Sequence, residues 1–234
     1  MNFTLTVPSW VVPDTWAGNL RFVADKPYIQ GMELLLYLWD GAIRRDFLAE
    51  LPEIRSYSDR LHLSLHLPEA DASTIGDIVA NTASFVKSYC VHPPKNSEDL
   101  EAFAIKLLEL RTGYGDVFFL ENTKYAHFKN AYDFLATKMP DKTWPVCMDT
   151  AHLLQEDQSI AWFIANYGHA IREIHLNDSV DGKDHVALSR SSTWMADCVP
   201  LLRSFSGLLE LELFSIQAVE ASLEALAYFL HEGA

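Results

Sequence analysis

Imidazole and carboxylate side chains recur in this chain where short apolar runs end. LHLSLHLP, YCVHPP, VFFLENT, VCMDTAH, EIHLND and LLELELF bring His66, His92, Glu121, Asp149, His175 and Glu212 to the ends of such runs. His152 lies three residues beyond Asp149, and His185 follows in KDHVAL. A short apolar run reads as a buried strand, so a polar side chain closing it sits at the rim of a core rather than inside it. Mixed nitrogen and oxygen donors without thiolate suit Zn, Mn or Fe, whereas an all-oxygen set would suit Mg or Ca. Several such rims in one chain imply one shared metal site.

Each motif taken singly has a plainer explanation. A lone histidine closing a strand, such as His66 or His92, is more often a hydrogen-bonded structural residue than a ligand. Glu121 in LEN could cap a following helix, and in DTAH Asp149 could be an N-cap with His152 in the first turn. Together these explanations would need six coincidences at one end of one fold. His127, His169 and His231 fall in or beside helical stretches and are read as structural. Glu33 in GMELLLYLW shares a face with Tyr37 and Trp39, and is either a buried acid or a substrate contact. Trp10, Trp39 and Tyr125 could line a pocket for a large flat ligand, while Asn122, Lys124 and Asn177 are substrate-contact candidates by their nearness to the ligands.

The elements that must position these groups alternate along the whole length. Strand-like runs lie near residues 3–10, 29–38, 60–67, 86–92, 116–122, 144–149, 171–177 and 208–214, separated by amphipathic stretches. Eight such units predict an α/β fold, a single (β/α)8 TIM barrel over residues 1–234, with its site at the C-terminal strand ends. Period-two alternation puts His62, Ser64 and His66 on one face, Glu173, His175 and Asn177 on another, and Glu210 with Glu212 on a third. The later member of each set is nearer the mouth, which selects His66, His175 and Glu212 as ligands and leaves His62, Glu173 and Glu210 as supporting groups. Asp14 before TWAGNLRFVAD, Ser97 before EDLEAFAIKLLELRTG and Gly113 past its end mark helix boundaries, and a last helix covers VEASLEALAYFL.

Composition narrows the function classes. The chain has 234 residues, with 18 basic against 32 acidic and a net charge of −14. That balance disfavours nucleic acid, whose binding depends on Lys and Arg displacing counterions. Metals would offset the acidity locally, so the expected partner is a small phosphorylated or hydroxylated molecule. MNFTLTVPSW has no leader pattern and no apolar stretch nears the roughly 20 residues of a membrane span, so a soluble cytoplasmic protein without membrane partners is expected. The three cysteines, Cys90, Cys147 and Cys198, show no CxxC spacing and read as reduced core residues.

The order of His at strand three, His at strand four, LEN, D-x-x-H, H-x-N-D, D-H and a final Glu resembles the xylose isomerase-like barrel superfamily, which includes the type 2 AP endonucleases. That resemblance covers essentially the whole chain. It implies one metal on Glu121, Asp149, His175 and Glu212 in the sugar isomerase and epimerase branch, and further ions on residues matching His66, His92, His152 and His185 in the endonuclease branch. This chain has those extra histidines, which implies two or three divalent ions and favours hydrolysis, with Glu121 as a bridge. One departure is visible: the endonuclease pattern is Asp-x-His, whereas Asp184 and His185 are adjacent. VPSW, ELLLY, HLP, VHPP, LENT and KDH are more closely similar to the cobamide-remodelling phosphodiesterases of the same superfamily. The resemblance implies hydrolysis of the nucleotide-loop phosphodiester of a B12-type corrinoid, giving cobinamide phosphate and the lower-ligand riboside. The rival expectation is a sugar or sugar-phosphate isomerase or epimerase, with Glu121 and Glu212 as the catalytic acid/base pair.

Overall fold

The computed structural model describes residues 2–139 and 143–231. Eight parallel strands close a barrel: β1 (Thr4–Pro8), β2 (Gly31–Leu35), β3 (His62–His66), β4 (Ser88–Val91), β5 (Phe118–Glu121), β6 (Val146–Asp149), β7 (Ile171–His175) and β10 (Leu208–Glu210). Each pairs with its chain neighbour, and β10 closes on β1 through Thr4↔Leu208 and Thr6↔Glu210. The fold is a single (β/α)8 barrel, as the alternation of runs predicts. Observed strands are shorter than the apolar runs, because the outer residues of each run turn into loops that stay buried, such as Leu211 and Leu213.

Alternation along the strands divides two cores. Met32, Leu34, Leu63, Leu65, Tyr89, Leu120, Met148, Ile174 and Leu209 point outward into the layer shared with the helices, and all are buried. Glu33, Ser64, Cys90, Phe119, Cys147, Glu173, His175 and Glu210 occupy the alternate positions, and Cys90, Phe119, Cys147 and Leu208 form a separate small apolar cluster. The interior of this barrel is therefore unusually polar for a fold normally filled with branched aliphatics.

The surrounding helices are α1 (Trp16–Ala24), α2 (Gly41–Ser56), α3 (Ala72–Thr82), α4 (Leu100–Tyr114), α5 (Tyr125–Lys138), α6 (Thr150–Gln155), α7 (Ile160–Tyr167), α8 (Met195–Ser204) and α9 (Ile216–His231). Asp40 and Asp71 cap α2 and α3 through backbone amides at 2.8–2.9 Å. Two boundary expectations are corrected. Thr15, not Asp14, caps α1, since its hydroxyl accepts from Gly18 N while Asp14 Oδ1 accepts from Thr15 N. Gly113 lies inside α4, and Gly115, with φ +88°, ends the helix because only glycine adopts that conformation without strain. Ser97–Asp99 form a single 3-10 turn ahead of α4.

One element is absent from the expected plan. After β7 the chain makes an antiparallel hairpin, β8 (Asp178–Val180) and β9 (Lys183–Val186), turned by Asp181 and Gly182 with φ of 53° and 74°. Two left-handed residues in a two-residue loop are the geometry that matches the twist of a tight hairpin. This hairpin lies against α6 and carries His185 over the barrel mouth.

Candidate metal centre

The strand ends deliver the ligands. His66, Glu121, Asp149 and His175 are the last residues of β3, β5, β6 and β7, His92 follows β4 by one residue, and Glu212 follows β10 by two. Asp149 also caps α6, its Oδ1 accepting from His152 N at 2.9 Å, which leaves Oδ2 3.9 Å from His152 Nε2. His152 thereby stands in the first turn of α6 with its ring over the mouth.

Glu121 is the hub. Its Oε2 lies 3.2 Å from His66 Nε2 and 2.8 Å from His92 Nε2, and its Oε1 lies 3.4 Å from His152 Nε2 and 4.0 Å from His175 Nδ1. Glu212 reaches His175 Nδ1 at 3.5 Å through Oε2 and His185 Nε2 at 3.4 Å through Oε1. Asp149 Oδ2 lies 3.9 Å from His152 Nε2. All eight residues expected as metal ligands thus converge on one centre, and each oxygen of Glu121 faces a different group of imidazoles. A donor set of nitrogen and carboxylate oxygen at these separations fits divalent transition ions, and Nδ1 of His175 has no hydrogen-bond partner.

Electrostatics follow the same pairing. Burial opposes charge on Glu121 and Glu212, yet the surrounding imidazoles hold both carboxyls well below the usual range. Burial likewise opposes protonation of His66 and His152, but the Glu121 hydrogen bond and the acids around them raise the two rings to about 9 and about 10. Burial lifts Asp149 to about 7. The imidazolium protons here balance the carboxylates as metal ions would, which is the behaviour of a ligand set built for cations.

Supporting contacts fix the ligands. Glu69 Oε1 faces His92 Nδ1 at 3.4 Å and Glu69 Oε2 pairs with Lys95 at 2.7 Å, a carboxylate behind a histidine ligand. Asp184 Oδ1 stands 3.0 Å from His185 Nδ1 in the same role, so the adjacency of Asp184 and His185 gives the acid an orienting position. His185 has φ 53°, a strained conformation for a non-glycine residue, held by Asn177 Oδ1 accepting from its backbone N–H at 2.9 Å. Cys90 Sγ donates to Glu121 Oε2 at 3.2 Å, with burial pushing the thiol well above its ordinary value. The sequence reading missed this contact; that Cys90 and His92 share a face across β4 was the available signal.

Three of the expected substrate contacts are buried side chains. Glu33 is fully buried inside the barrel, with Oε2 3.7 Å from His175 Nε2. Asn122 spends both ends of its amide on Asp149, donating to its carbonyl at 2.9 Å and accepting from its N–H at 2.8 Å. Asn177 is also fully buried, donating to Glu212 Oε2 at 3.4 Å. Lys124 is exposed at the start of α5; its carbonyl accepts from Phe128 N at 2.9 Å, and its ammonium makes no hydrogen bond or ion pair among the described residues.

Trp10 follows β1 on an aromatic cluster. It is 42 % exposed and packs on Tyr37 at 5.1 Å and Phe214 at 6.1 Å between ring centroids. Tyr37 in turn lies 5.7 Å from the His66 ring, and Phe214 lies 4.5 Å from the His185 ring. A cavity of about 480 Å³ opens between the loops after β3 and β4, lined by Pro68, His92, Lys95, Phe103 and Lys106 among others. Trp39 and Tyr125, the other aromatic candidates, are instead packed against the core.

No protein-family description matches this chain, and no curated protein matches it. Solved structures do. A D-psicose 3-epimerase crystallised in the presence of D-fructose superposes with TM-score 0.71 at 13% identity, covering 97% of this chain and 98% of that one. A D-allulose 3-epimerase from Methylomonas sp. gives 0.67 at 14% identity over 97% and 96%. A family 2 AP endonuclease from Brucella melitensis gives 0.63 at 12% identity over 98% of both chains. The chain therefore shares the barrel found in sugar epimerases and family 2 AP endonucleases. No helix among the described residues is long and apolar enough to cross a membrane.

Proposed function

We propose that this chain is a metal-dependent phosphodiesterase acting on a bulky planar substrate, a cobamide, whose nucleotide-loop phosphodiester it hydrolyses to cobinamide phosphate and the lower-ligand riboside. The observation that carries hydrolysis is the pair His66 and His92 on Oε2 of Glu121, a nitrogen-rich site outside the Glu121, Asp149, His175 and Glu212 set. Divalent ions held by these residues would activate water and neutralise the phosphoryl and departing oxygens. Glu121 sets the separation of the two halves, and Asn122 and Asn177 hold Asp149, Glu212 and the His185 backbone in place. The Trp10, Tyr37 and Phe214 shelf supports the corrinoid assignment, since it offers aromatic faces to a large flat ligand beside the centre. A single phosphodiester charge directed at the centre is compatible with the acidic chain. Metal-loaded protein incubated with adenosylcobalamin is expected to yield cobinamide phosphate by chromatography and mass, and Glu121→Gln or chelated protein to yield none. Intact substrate with confirmed metal loading removes the corrinoid assignment.

A second reading, sugar or sugar-phosphate isomerisation or epimerisation, has its own support. Two of the structures reported above are ketose 3-epimerases, and these comparisons favour it over the corrinoid reading. Glu121, Asp149, His175 and Glu212 would suffice for one ion, with Glu121 and Glu212 exchanging a proton across a sugar carbon. Conversion of D-fructose to its 3-epimer, with one tightly bound metal and activity surviving His66→Ala and His92→Ala, would establish this reading and sink the cluster hypothesis.

A further inference from the structure

Below the mouth, the barrel interior holds acids that the proposed chemistry does not use. Glu33 of β2, Glu173 of β7 and Glu210 of β10 are all fully buried, and one ligand atom from each, with one from His175, lies within 4.8 Å of the others. All six carboxylate oxygens lack a hydrogen-bond partner. Three buried carboxylates without partners carry a large desolvation cost unless a counter-charge or protons answer it.

A second observation points into the same space. His175 Nε2 is fully buried, has no hydrogen-bond partner, and faces Glu33 Oε2 at 3.7 Å and Glu210 Oε2 at 3.9 Å. The hydroxyls of Thr6 and Ser64 are buried and unpartnered as well, and the register sets Thr6 beside Glu210 and Ser64 beside Glu33 on the interior face. Most donors gathered here are oxygen, with the Cys147 thiol beside Glu173 and against His175, unlike the imidazole-rich mouth.

We propose that Glu33, Glu173 and Glu210 form a separate interior cation site for a hard divalent ion of the Mn²⁺, Mg²⁺ or Ca²⁺ class, stacked beneath the mouth centre and sharing His175 as its wall. Carboxylate and hydroxyl oxygens are the donors such ions select. His175 turns Nδ1 to Glu212 and the mouth and Nε2 to the interior acids. The Nε2 proton then meets a carboxylate that also holds the ion, which fixes the ring and its tautomer from behind. The site does not depend on which reaction the mouth performs.

The test is anomalous diffraction at the manganese edge on crystals of the whole chain, stripped by chelator and reloaded with Mn²⁺, together with a manganese count in solution. A peak at roughly 2.0–2.6 Å from the Glu33, Glu173 and Glu210 oxygens is expected, and it persists in His92→Ala. Glu173→Gln is expected to lose one manganese equivalent while the mouth stays occupied. Should that variant not fold, diffraction from the wild-type chain decides alone. Manganese at the mouth with none among the interior acids, or none at either place, overturns the proposal. Loss of corrinoid or epimerase activity bears on the mouth only and leaves this result intact.

Discussion

Glu121 is the residue on which the centre turns, because each of its oxygens serves different imidazoles. Glu121→Gln keeps the volume and removes the charge, so bound metal is expected to fall by more than one equivalent and activity by on the order of 10²-fold or more, with the circular dichroism unchanged. Glu69→Gln leaves the ligands in place but removes the acid behind His92, and a roughly 10- to 100-fold weaker metal affinity is expected by competition with a chromophoric chelator. Protonation gives a third outcome. Metal must displace protons from His66, at about 9, and His152, at about 10. Apparent affinity should therefore climb between pH 6 and 9 by about tenfold per unit for each proton displaced, and binding in weak buffer should release acid; a flat profile would contradict this. At this scale the convergence of His66, His92, Glu121, Asp149, His175 and Glu212 was legible, since each ends an apolar run, whereas His152 and His185 lie outside such runs. Glu33, Asn122 and Asn177 are buried, and both asparagines hydrogen-bond to neighbours of the centre, which nearness along the chain does not reveal.

Among the elements, the β8–β9 hairpin does most to distinguish this mouth, because it carries His185 to Glu212 from outside the barrel. Its anchor is Asp178, which accepts from Trp194 Nε1 at 2.9 Å, from the Ser192 hydroxyl and from Ser179 N at 2.8 Å. Asp178→Ala leaves a half-buried indole N–H and the buried Ser192 hydroxyl unpaired, so a loss of about 2 kcal/mol in denaturant unfolding is expected. A second effect should exceed what that loss explains: weaker binding of the ion that His185 holds, with the Glu121, His66 and His92 side unaffected. Equal weakening on both sides would show that the hairpin is not what places His185. The eight strands could be read from composition, since parallel barrel strands are buried on both faces and appear as unbroken apolar runs. The hairpin could not be read that way, as Asp178–Val186 is polar and only partly buried; the Asp181–Gly182 pair was its one local signal. Gly113 misled for a related reason: a glycine near a helix end marks termination only where φ is positive, which Gly115 supplies.

For the whole molecule, metal and stability are linked through the acidity of the mouth. In the metal-free chain, Glu121 and Glu212 are depressed by their imidazole partners, so their contribution is present above the ordinary carboxyl range and is lost as pH falls through the depressed values. His66 and His152 are raised, so theirs is full below about 6.5 and is lost as pH rises through about 9 and about 10. Chelated protein should therefore melt at progressively lower temperature between pH 6.5 and 10, as imidazolium charge disappears and the carboxylates face one another. Metal replaces that charge where protons no longer can. At 1,000-fold excess over Kd a single ion adds about 4 kcal/mol, which for a chain of this size is on the order of 8–16 °C in Tm. The increment from added Zn²⁺ or Mn²⁺ should be small near pH 5.5, where protons hold the ligands, and largest near pH 9. Scanning calorimetry across that range, with and without metal, decides the matter: a metal increment independent of pH would mean that protons and ions do not compete for the same side chains, and would separate the titrating histidines from the ligand set.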